Sequence, residues 1–229
     1  ELRKMHDTRS GLALLASTVA ASAGVLLWKV SHPAIVTSFD NYSRGVATMI
    51  AVLTPLIGLL AMTSEWTQRT ALTTFTLAPR RLPVIGAKYA ASLVTSMAAV
   101  AAGMALTAGV CALGGALHGP ADFTGWAGDV RYAVVFVLLQ VTMGAAFGAL
   151  AANTPVALSL FLLAPTLWAM LASGPLRAVA GWFDIFEAYG RLSSDHPFDS
   201  LGRTATSIAV WIVLPAVGGL IRSLRREVK

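Results

Sequence analysis

The sequence predicts an all-α integral membrane protein with six transmembrane helices, and two observations lead to this fold class. Its amino acids are 56% hydrophobic and only 12% charged, whereas an average soluble domain carries about 25% charged residues. Apolar runs near or above the roughly 20 residues that a helix needs to cross a hydrocarbon core recur along almost the whole chain. We therefore expect residues 1–229 to form a single transmembrane domain.

Six apolar runs account for the spans, and each must be helical because backbone groups find no water to bond with in lipid. The first run follows a charged, amphipathic N-terminal lead. Pro55, Pro165 and Pro215 lie inside the second, fifth and sixth runs, where a membrane helix tolerates them as kinks. The runs cover about 10–30, 46–63, 83–117, 130–152, 154–173 and 204–220.

The basic residues predict how the spans are oriented, because cytoplasmic segments carry an excess of Lys and Arg. Both termini are then cytoplasmic, and the outer segments keep fewer basic residues and most of the acids. The net charge of +6 does not indicate nucleic-acid binding, since the basic residues form no stripe with interleaved aromatics. The inner side carries Arg3, Lys4, Arg9, Arg69, Arg80, Arg81, Lys88, Arg222, Arg225, Arg226 and Lys229.

The short segment AANTP between the fourth and fifth runs predicts a tight helical hairpin. Thr154 is suited to the N-cap and Pro155 to the first helical position. Gly144 and Gly148 in the fourth run have the four-residue spacing that lets membrane helices approach closely. This spacing fits packing within one subunit as well as a dimer face.

Residues 174–203 are expected to form an outer loop that contains a short amphipathic helix. This segment is too short and too charged to span the membrane. Its apolar residues recur at helical spacing, which predicts that the helix lies in the outer interface. These residues are Leu176, Val179, Phe183 and Phe186.

The predicted spans offer no groups for catalysis or for carrying ions. An intramembrane enzyme or an ion-driven carrier needs ionisable or nucleophilic side chains at membrane depth, and the polar exceptions here are Gln140 and scattered Ser and Thr residues. We expect Gln140 to hydrogen-bond between helices. Cys111 has no partner cysteine, the histidines lack metal-ligand spacing, and no phosphate-binding loop occurs. We therefore expect no catalytic residue, metal or cofactor in this chain.

A polar insert, EWTQRTALTTFTLAPRRLPVIGAK, separates the second and third runs. Ser64 can cap a helix that starts at Glu65 and runs to Ala78, and Pro79 stops it. Its apolar and neutral residues fall on two faces, which suit either a helix held between the membrane domain and a docked partner or one lying on lipid headgroups. One face contains Gln68, Leu72 and Phe75, and the other contains Trp66, Thr70, Thr73 and Leu77.

The insert resembles the segment between spans two and three of ABC-2 type transporter permeases, the membrane subunits of ATP-driven exporters. In that family an acid closes span two, a Gly-Thr or similar pair follows, and after a hydrophobic run come a small residue, proline, arginine and finally a lysine. Glu65 matches the acid and Thr70 the threonine, while Arg69 replaces the glycine. The later elements correspond to Ala78, Pro79, Arg81 and Lys88.

The resemblance also covers the layout of six spans, an amphipathic lead and an outer amphipathic element. It implies that residues 64–82 are a cytoplasmic coupling segment on which an ABC ATPase subunit docks. It further implies two ATPase copies that use ATP and Mg, a second permease subunit that is identical or paralogous, and a bacterial cell membrane. The coupling residues would be Glu65, Trp66, Arg69, Thr70, Leu72, Phe75, Pro79, Arg80, Arg81 and Lys88.

The spans are apolar and contain Met and aromatic residues, which would suit a lipophilic cargo such as a drug, a peptide antibiotic or a lipid. Such residues also pack ordinary helix cores. Gln140, Met143, Phe147 and Trp168 are the candidate residues of a cargo path. Two other functions remain open. The chain could be the substrate-binding membrane subunit of an energy-coupling importer, or a sensing or assembly subunit that transports nothing.

Overall fold

The computed structural model describes residues 9–32, 38–67, 81–118, 120–174, 176–194, 196 and 199–225. In these ranges the chain is helical and forms no strand, apart from one isolated bridge between Ser38 and Asp122. Six helices are long and apolar enough to cross a membrane, which confirms the predicted all-α, multi-pass architecture. These spans are Gly11–Val30, Phe39–Ser64, Arg81–Ala116, Trp126–Ala151, Thr154–Ala172 and Leu201–Arg225.

The helices are numbered here in chain order. Helices α1 to α5 are the first five spans with their extensions, α6 and α7 are short, and the last span consists of α8, a π-helical segment at Ala209–Val213, and α9. Their bounds are Arg9–Val30, Phe39–Thr67, Arg81–His118, Trp126–Ala151, Thr154–Ala172, Arg177–Phe183, Ile185–Ser193, Leu201–Ile208 and Leu214–Arg225.

Consecutive spans run in opposite directions, so the bundle has two ends. At one end the start of α2 meets the loop before α4, since the Phe39 amide donates to the Asp122 carbonyl at 2.8 Å. We call this the Asp129 end. At the other end α2 stops, α3 begins, and α4 turns into α5 at Thr154. We call this the Thr154 end.

Helices α2 and α4 form the centre of the bundle, where their backbones approach closely at glycines. A Cβ at Gly144 would collide with the Pro55 carbonyl, and one at Gly148 would lie 2.7 Å from the Leu59 carbonyl oxygen. From the other side, a Cβ at Gly58 would lie 3.0 Å from the Val141 carbonyl oxygen. The Gly144 and Gly148 spacing therefore serves packing within this chain.

Two apolar clusters flank this central pair. The first fills the space among α1, α2, α3 and α4 around Val46, Ile50 and Met104. The second joins α4 to α5, α7 and the last span around Phe147, Phe161 and Trp211. Spans α2 and α4 are 56% buried, whereas α1 is 17% buried and α5 is 22% buried. The faces available to lipid or to another subunit are therefore mainly those of α1 and α5.

Helix α2 is longer at both ends than the apolar run predicts. It begins at Phe39 because Phe39 and Tyr42 are buried and because the Arg44 guanidinium pairs with Asp40 one turn earlier, at 2.5 Å. It continues through Ser64 to Thr67. The prediction that Ser64 caps a new helix at Glu65 is therefore wrong, since both residues extend α2. Residues 68–80, which include the rest of that predicted helix and Pro79, lie outside the described part of the chain.

The hairpin between α4 and α5 is as tight as predicted, but its cap is one residue earlier. Ala152 adopts the left-handed conformation with φ 49°, and the Asn153 side chain accepts the Val156 amide. Thr154 is thus the first helical residue rather than the N-cap. Its hydroxyl is instead engaged by α2, as described below.

The predicted outer helix is two helices, α6 and α7. Asp184 is extended and its carboxylate accepts the amides of Phe186 and Glu187, which ends one helix and starts the next. The buried face of α7 consists of Ile185, Ala188 and Tyr189. The apolar residues used for the prediction face outward or are half-buried instead: Leu176, Val179, Phe183 and Phe186.

Gly144→Ala is expected to destabilise the protein by forcing α2 and α4 apart. Overpacking of this kind costs about 1–3 kcal/mol, which should lower the thermal unfolding midpoint in detergent by several degrees. Gly109→Ala in α3 is the matched control, because nothing lies within 4 Å of a Cβ there. Equal midpoints for the two variants would contradict the α2–α4 contact.

Candidate functional site

At the Thr154 end, hydrogen bonds fix the end of α2 to the start of α5. The Thr154 hydroxyl lies 2.8 Å from the Thr63 hydroxyl and 3.1 Å from the Thr67 hydroxyl. Thr63 and Thr67 each donate their single hydroxyl proton to the carbonyl one turn earlier in α2, so Thr154 is the donor and the two α2 hydroxyls share its proton. The described part of α2 therefore ends, at Thr67, in a helix end that is bonded to α5.

The description of the chain resumes at Arg81, the first residue of α3. The Arg81 guanidinium donates to the Ser223 carbonyl in α9 at 2.5 Å. Nearby, the Arg222 guanidinium donates to the Leu150 carbonyl near the end of α4 at 2.6 Å. These cations satisfy carbonyls in the last turns of two helices, where the helix dipole favours positive charge.

Lys88 lies two turns into α3, and its side chain is 5% exposed. It is buried within this chain rather than presented at the surface of the Thr154 end. A predicted role for Lys88 in coupling would therefore act through the packing of α3. This burial was hidden from the sequence, because a lysine at the foot of a span usually extends toward the headgroups.

For the other predicted coupling residues the structure describes only part of α2. The backbone of Glu65 and Trp66 belongs to α2, and their side chains are not described. The remaining positions lie outside the described residues, and their coupling role stays a prediction: Arg69, Thr70, Leu72, Phe75, Pro79 and Arg80.

Three of the four candidate cargo-path residues are buried inside the bundle. Gln140, Met143 and Phe147 lie on α4 in the core. The Tyr189 hydroxyl of α7 donates to the Gln140 side-chain oxygen at 3.4 Å and lies 3.9 Å from the Met143 sulfur. The interhelical hydrogen bond predicted for Gln140 is thus present, and its partner lies on the short helix α7.

Trp168, the fourth of these residues, lies on α5 and is half-buried. Its ring packs edge-on against Phe183 of α6, with centroids 5.5 Å apart. Helix α6 is also tied to the last span, since the Trp211 indole donates to the Phe183 carbonyl at 2.6 Å. The four residues thus connect α4 and α5 to α6 and α7.

Tyr189 is the buried polar residue that the sequence pattern missed. Burial raises the pKa of its phenol well above the usual range, so the group stays neutral. Its ring also packs against Phe136 of α4, with centroids 5.1 Å apart. The spacing of Ile185, Ala188 and Tyr189 could have identified the buried face of α7 had the break at Asp184 been recognised.

The Asp129 end carries a charged cleft of about 870 Å³ between the start of α2, the start of α4 and the end of α7. Its walls include Asp40, Arg44, Asp129 and Arg131, and Arg131 donates to the Ser193 carbonyl at 3.2 Å. Hydrogen bonds from Thr124 hold the pKa of nearby Asp122 below its usual value. In the described ranges, no group of three or more His, Cys, Asp or Glu residues could hold a metal ion.

Comparisons of this chain with protein-family models, with curated proteins and with solved structures found no match.

Tyr189→Phe should destabilise the protein at neutral pH, because it leaves the Gln140 oxygen without its donor in the core. The expected loss is about 1 kcal/mol, measured as the unfolding midpoint in detergent at pH 8. Tyr132→Phe on α4, whose ring is half-buried, is the matched control and should change little. Equal midpoints for wild type and Tyr189→Phe would show that the hydrogen bond contributes nothing.

The same variant should change the response of stability to alkaline pH. The raised pKa of Tyr189 keeps the folded phenol neutral, whereas an unfolded tyrosine ionises near pH 10. The contribution of the neutral phenol to the free energy of unfolding is therefore fully present below about pH 10. Above that pH it falls, by up to about 1.4 kcal/mol per pH unit for this group. Midpoints measured from pH 8 to pH 11 should fall more steeply for wild type than for Tyr189→Phe. Parallel curves would contradict the burial of a neutral phenol.

Proposed function

We propose that this chain is the membrane-spanning permease subunit of an ATP-driven exporter, with ATP hydrolysed by a separate ABC ATPase. The proposal rests on the resemblance of residues 64–82 to a coupling segment and on one structural observation. Both ends of that segment are fixed to other spans, α2 to α5 through Thr154 and α3 to α9 through Arg81. A partner bound to the segment would therefore act on four of the six spans.

The tight α2–α4 contact supports transmission of such a force. Displacement of α2 would move α4, because their backbones meet at Gly58, Gly144 and Gly148. Bending can occur where regular helical hydrogen bonds are interrupted, at Pro55, at Pro165 and in the π-helical segment. Closure of the ATPases on ATP would then tilt α2 and α4 together.

The Thr154 end faces the cytoplasm in this proposal, and both termini lie on that side of a bacterial cell membrane. Of the 17 basic residues in the sequence, 11 fall on the predicted cytoplasmic side and six on the other, and this excess follows the positive-inside rule. The chain itself performs no bond-making step, and ATP and Mg²⁺ act in the partner subunit.

The functional unit contains two ATPases and two permease subunits, identical or paralogous. The weakly buried faces of α1 and α5 are available for a second permease subunit or for lipid. A lipophilic cargo would pass between the two permeases. Because Gln140, Met143 and Phe147 are buried within one subunit, their participation in a path requires α4 to separate from α7.

Reversing the charge of Arg80 and Arg81 should uncouple ATP hydrolysis from export and leave membrane insertion intact. We expect Arg80→Glu/Arg81→Glu to lose at least about 90% of ATP-driven accumulation of lipophilic dyes and phospholipid analogues in inverted vesicles, a loss of about 1.4 kcal/mol or more in coupling. Arg80→Glu alone leaves the Arg81–Ser223 hydrogen bond in place. A loss of accumulation in this single variant would therefore report on docking of the ATPase and not on packing of α3 against α9.

Arg44→Glu/Arg131→Glu is the matched control, because it reverses two charges at the opposite end of the bundle from Thr67 and Arg81. Since it also breaks the Arg44–Asp40 pair and the Arg131–Ser193 hydrogen bond, thermal unfolding verifies that the variant is folded. It should accumulate the probes as wild type does. Normal ATP-driven accumulation by the Arg80→Glu/Arg81→Glu variant would contradict the proposed coupling.

A further inference from the structure

A second feature of the membrane domain is a small cleft between α1 and α3, which we call the α1–α3 cleft. It has a volume of about 200 Å³, and Ile50 of α2 forms part of its floor. Its walls consist of uncharged side chains from the middle of the two helices. The α1 wall contains Leu15, Thr18, Val19 and Ser22, and the α3 wall contains Val94, Thr95, Ala98, Ala99, Ala102, Gly103 and Leu106.

The cleft opens sideways, toward the region that lipid occupies around a transmembrane bundle. Val19, Val94 and Leu106 at its walls are 60%, 55% and 46% exposed. All three belong to helices long and apolar enough to span the bilayer. A molecule dissolved in the hydrocarbon core could enter the cleft without crossing water.

Two hydroxyls inside the cleft have no hydrogen-bond partner. Ser22 is 3% exposed and Thr95 is 5% exposed, and the hydroxyl oxygens of both are buried and unpaired. Membrane helices usually satisfy such a group with the carbonyl one turn earlier. Thr18 in the same cleft does so, donating to the Leu14 carbonyl at 2.8 Å.

Unpaired buried hydroxyls are costly where no water is available. Ser96 on α3 is also buried and unpaired but does not line the cleft, so Ser22 and Thr95 are distinguished by their place in its walls. Thr107, further along α3, is equally buried and donates to the Gly103 carbonyl at 2.8 Å. Burial on this helix therefore does not by itself prevent a hydroxyl from pairing. Ser22 and Thr95 both line the cleft, so a χ1 rotation that turns their hydroxyls toward its open side would let a bound ligand reach them.

We propose that the α1–α3 cleft binds an uncharged lipophilic molecule from the bilayer, through an aliphatic segment that carries a hydroxyl or carbonyl oxygen. The apolar walls accept the aliphatic part, and Ser22 and Thr95 hydrogen-bond the oxygen. A volume of 200 Å³ holds about seven water-sized groups, so the cleft binds a segment of the molecule rather than a whole lipid. This site does not depend on the proposed ATPase, and it lies apart from Gln140 and Trp168.

The test uses two photoreactive probes and the purified full chain in lipid nanodiscs. One probe is a long-chain secondary alcohol with a mid-chain hydroxyl and an adjacent diazirine, and the other is the matching alkane without the hydroxyl. Peptide mapping by mass spectrometry should place the alcohol label on the walls of the cleft, between Leu15 and Ser22 or between Val94 and Leu106. Excess unlabelled alcohol should compete with this labelling.

Removing the hydroxyls should weaken the binding of the alcohol selectively. Two lost hydrogen bonds predict a decrease of at least about fivefold in alcohol labelling for Ser22→Ala/Thr95→Val, with alkane labelling unchanged. Both substitutions keep the side-chain shape and delete unpaired groups, so the fold should be preserved. Ser17→Ala/Thr166→Val is the matched control, because these exposed hydroxyls bond to their own helices.

Filling the cleft should block both probes. Ala102→Leu is expected to reduce labelling at least fivefold, and Ala98→Leu provides a second filling variant if the first is unstable. Ala101→Leu, one residue away on α3 and not in the cleft wall, should label as wild type does. Thermal unfolding in the same nanodiscs verifies that each variant is folded.

Three results would overturn the proposal. Equal labelling of Ala101→Leu and of both filling variants would show that the probes do not enter the cleft. Equal labelling by alcohol and alkane, or no loss in Ser22→Ala/Thr95→Val, would mean that the hydroxyls bind at most a water molecule. Absence of label from the cleft in a folded wild-type sample would show that another protein surface or lipid packing closes it.

Discussion

The close approach of α2 and α4 is the contact on which the rest of the structure depends. Lipid chains are as apolar as the helices, so burial of hydrocarbon contributes little to association between spans. Glycines favour association in another way, because they let helix backbones come into contact. This occurs at Gly58, Gly144 and Gly148 in the central pair, and at Gly219 where α9 packs on Ala149 and Leu150. The peripheral helices then attach to this central pair.

Much of this architecture follows from the sequence because membrane spans are governed by local rules. Apolar length predicts the six helices, and four-residue glycine spacing predicts the close contact of α4. The helix ends were harder to predict, since they depend on distant partners. Thr63 and Thr67 extend α2 by bonding with Thr154, which in turn leaves the capping position to Asn153.

The candidate site could be predicted only in part, for the same physical reason. Gln140 was identifiable as a polar group at membrane depth, whereas its partner Tyr189 depends on the Asp184 break that orients α7. The burial of Lys88 and the unpaired state of Ser22 and Thr95 likewise arise from packing between spans. The residue pattern along a single helix does not predict which hydroxyl will form a hydrogen bond in the folded bundle.

The two ends of the bundle have different chemistry, which gives the proposed exporter its direction. The Thr154 end combines interhelical hydrogen bonds with basic side chains that cap helix carbonyls, and the predicted coupling segment is bounded there by Thr67 and Arg81. The Asp129 end has a wide, charged cleft. The central claim is that an ATP-binding partner contacts residues 68–80.

Photocrosslinking in native membranes tests this claim most directly, with a benzophenone amino acid placed at Phe75 or, as control, at the exposed Trp182 near the opposite end. The account predicts that Phe75 captures a chain that is also labelled by azido-ATP and that Trp182 does not. Absence of an ATP-labelled adduct at Phe75, or equal capture from both positions, would contradict it.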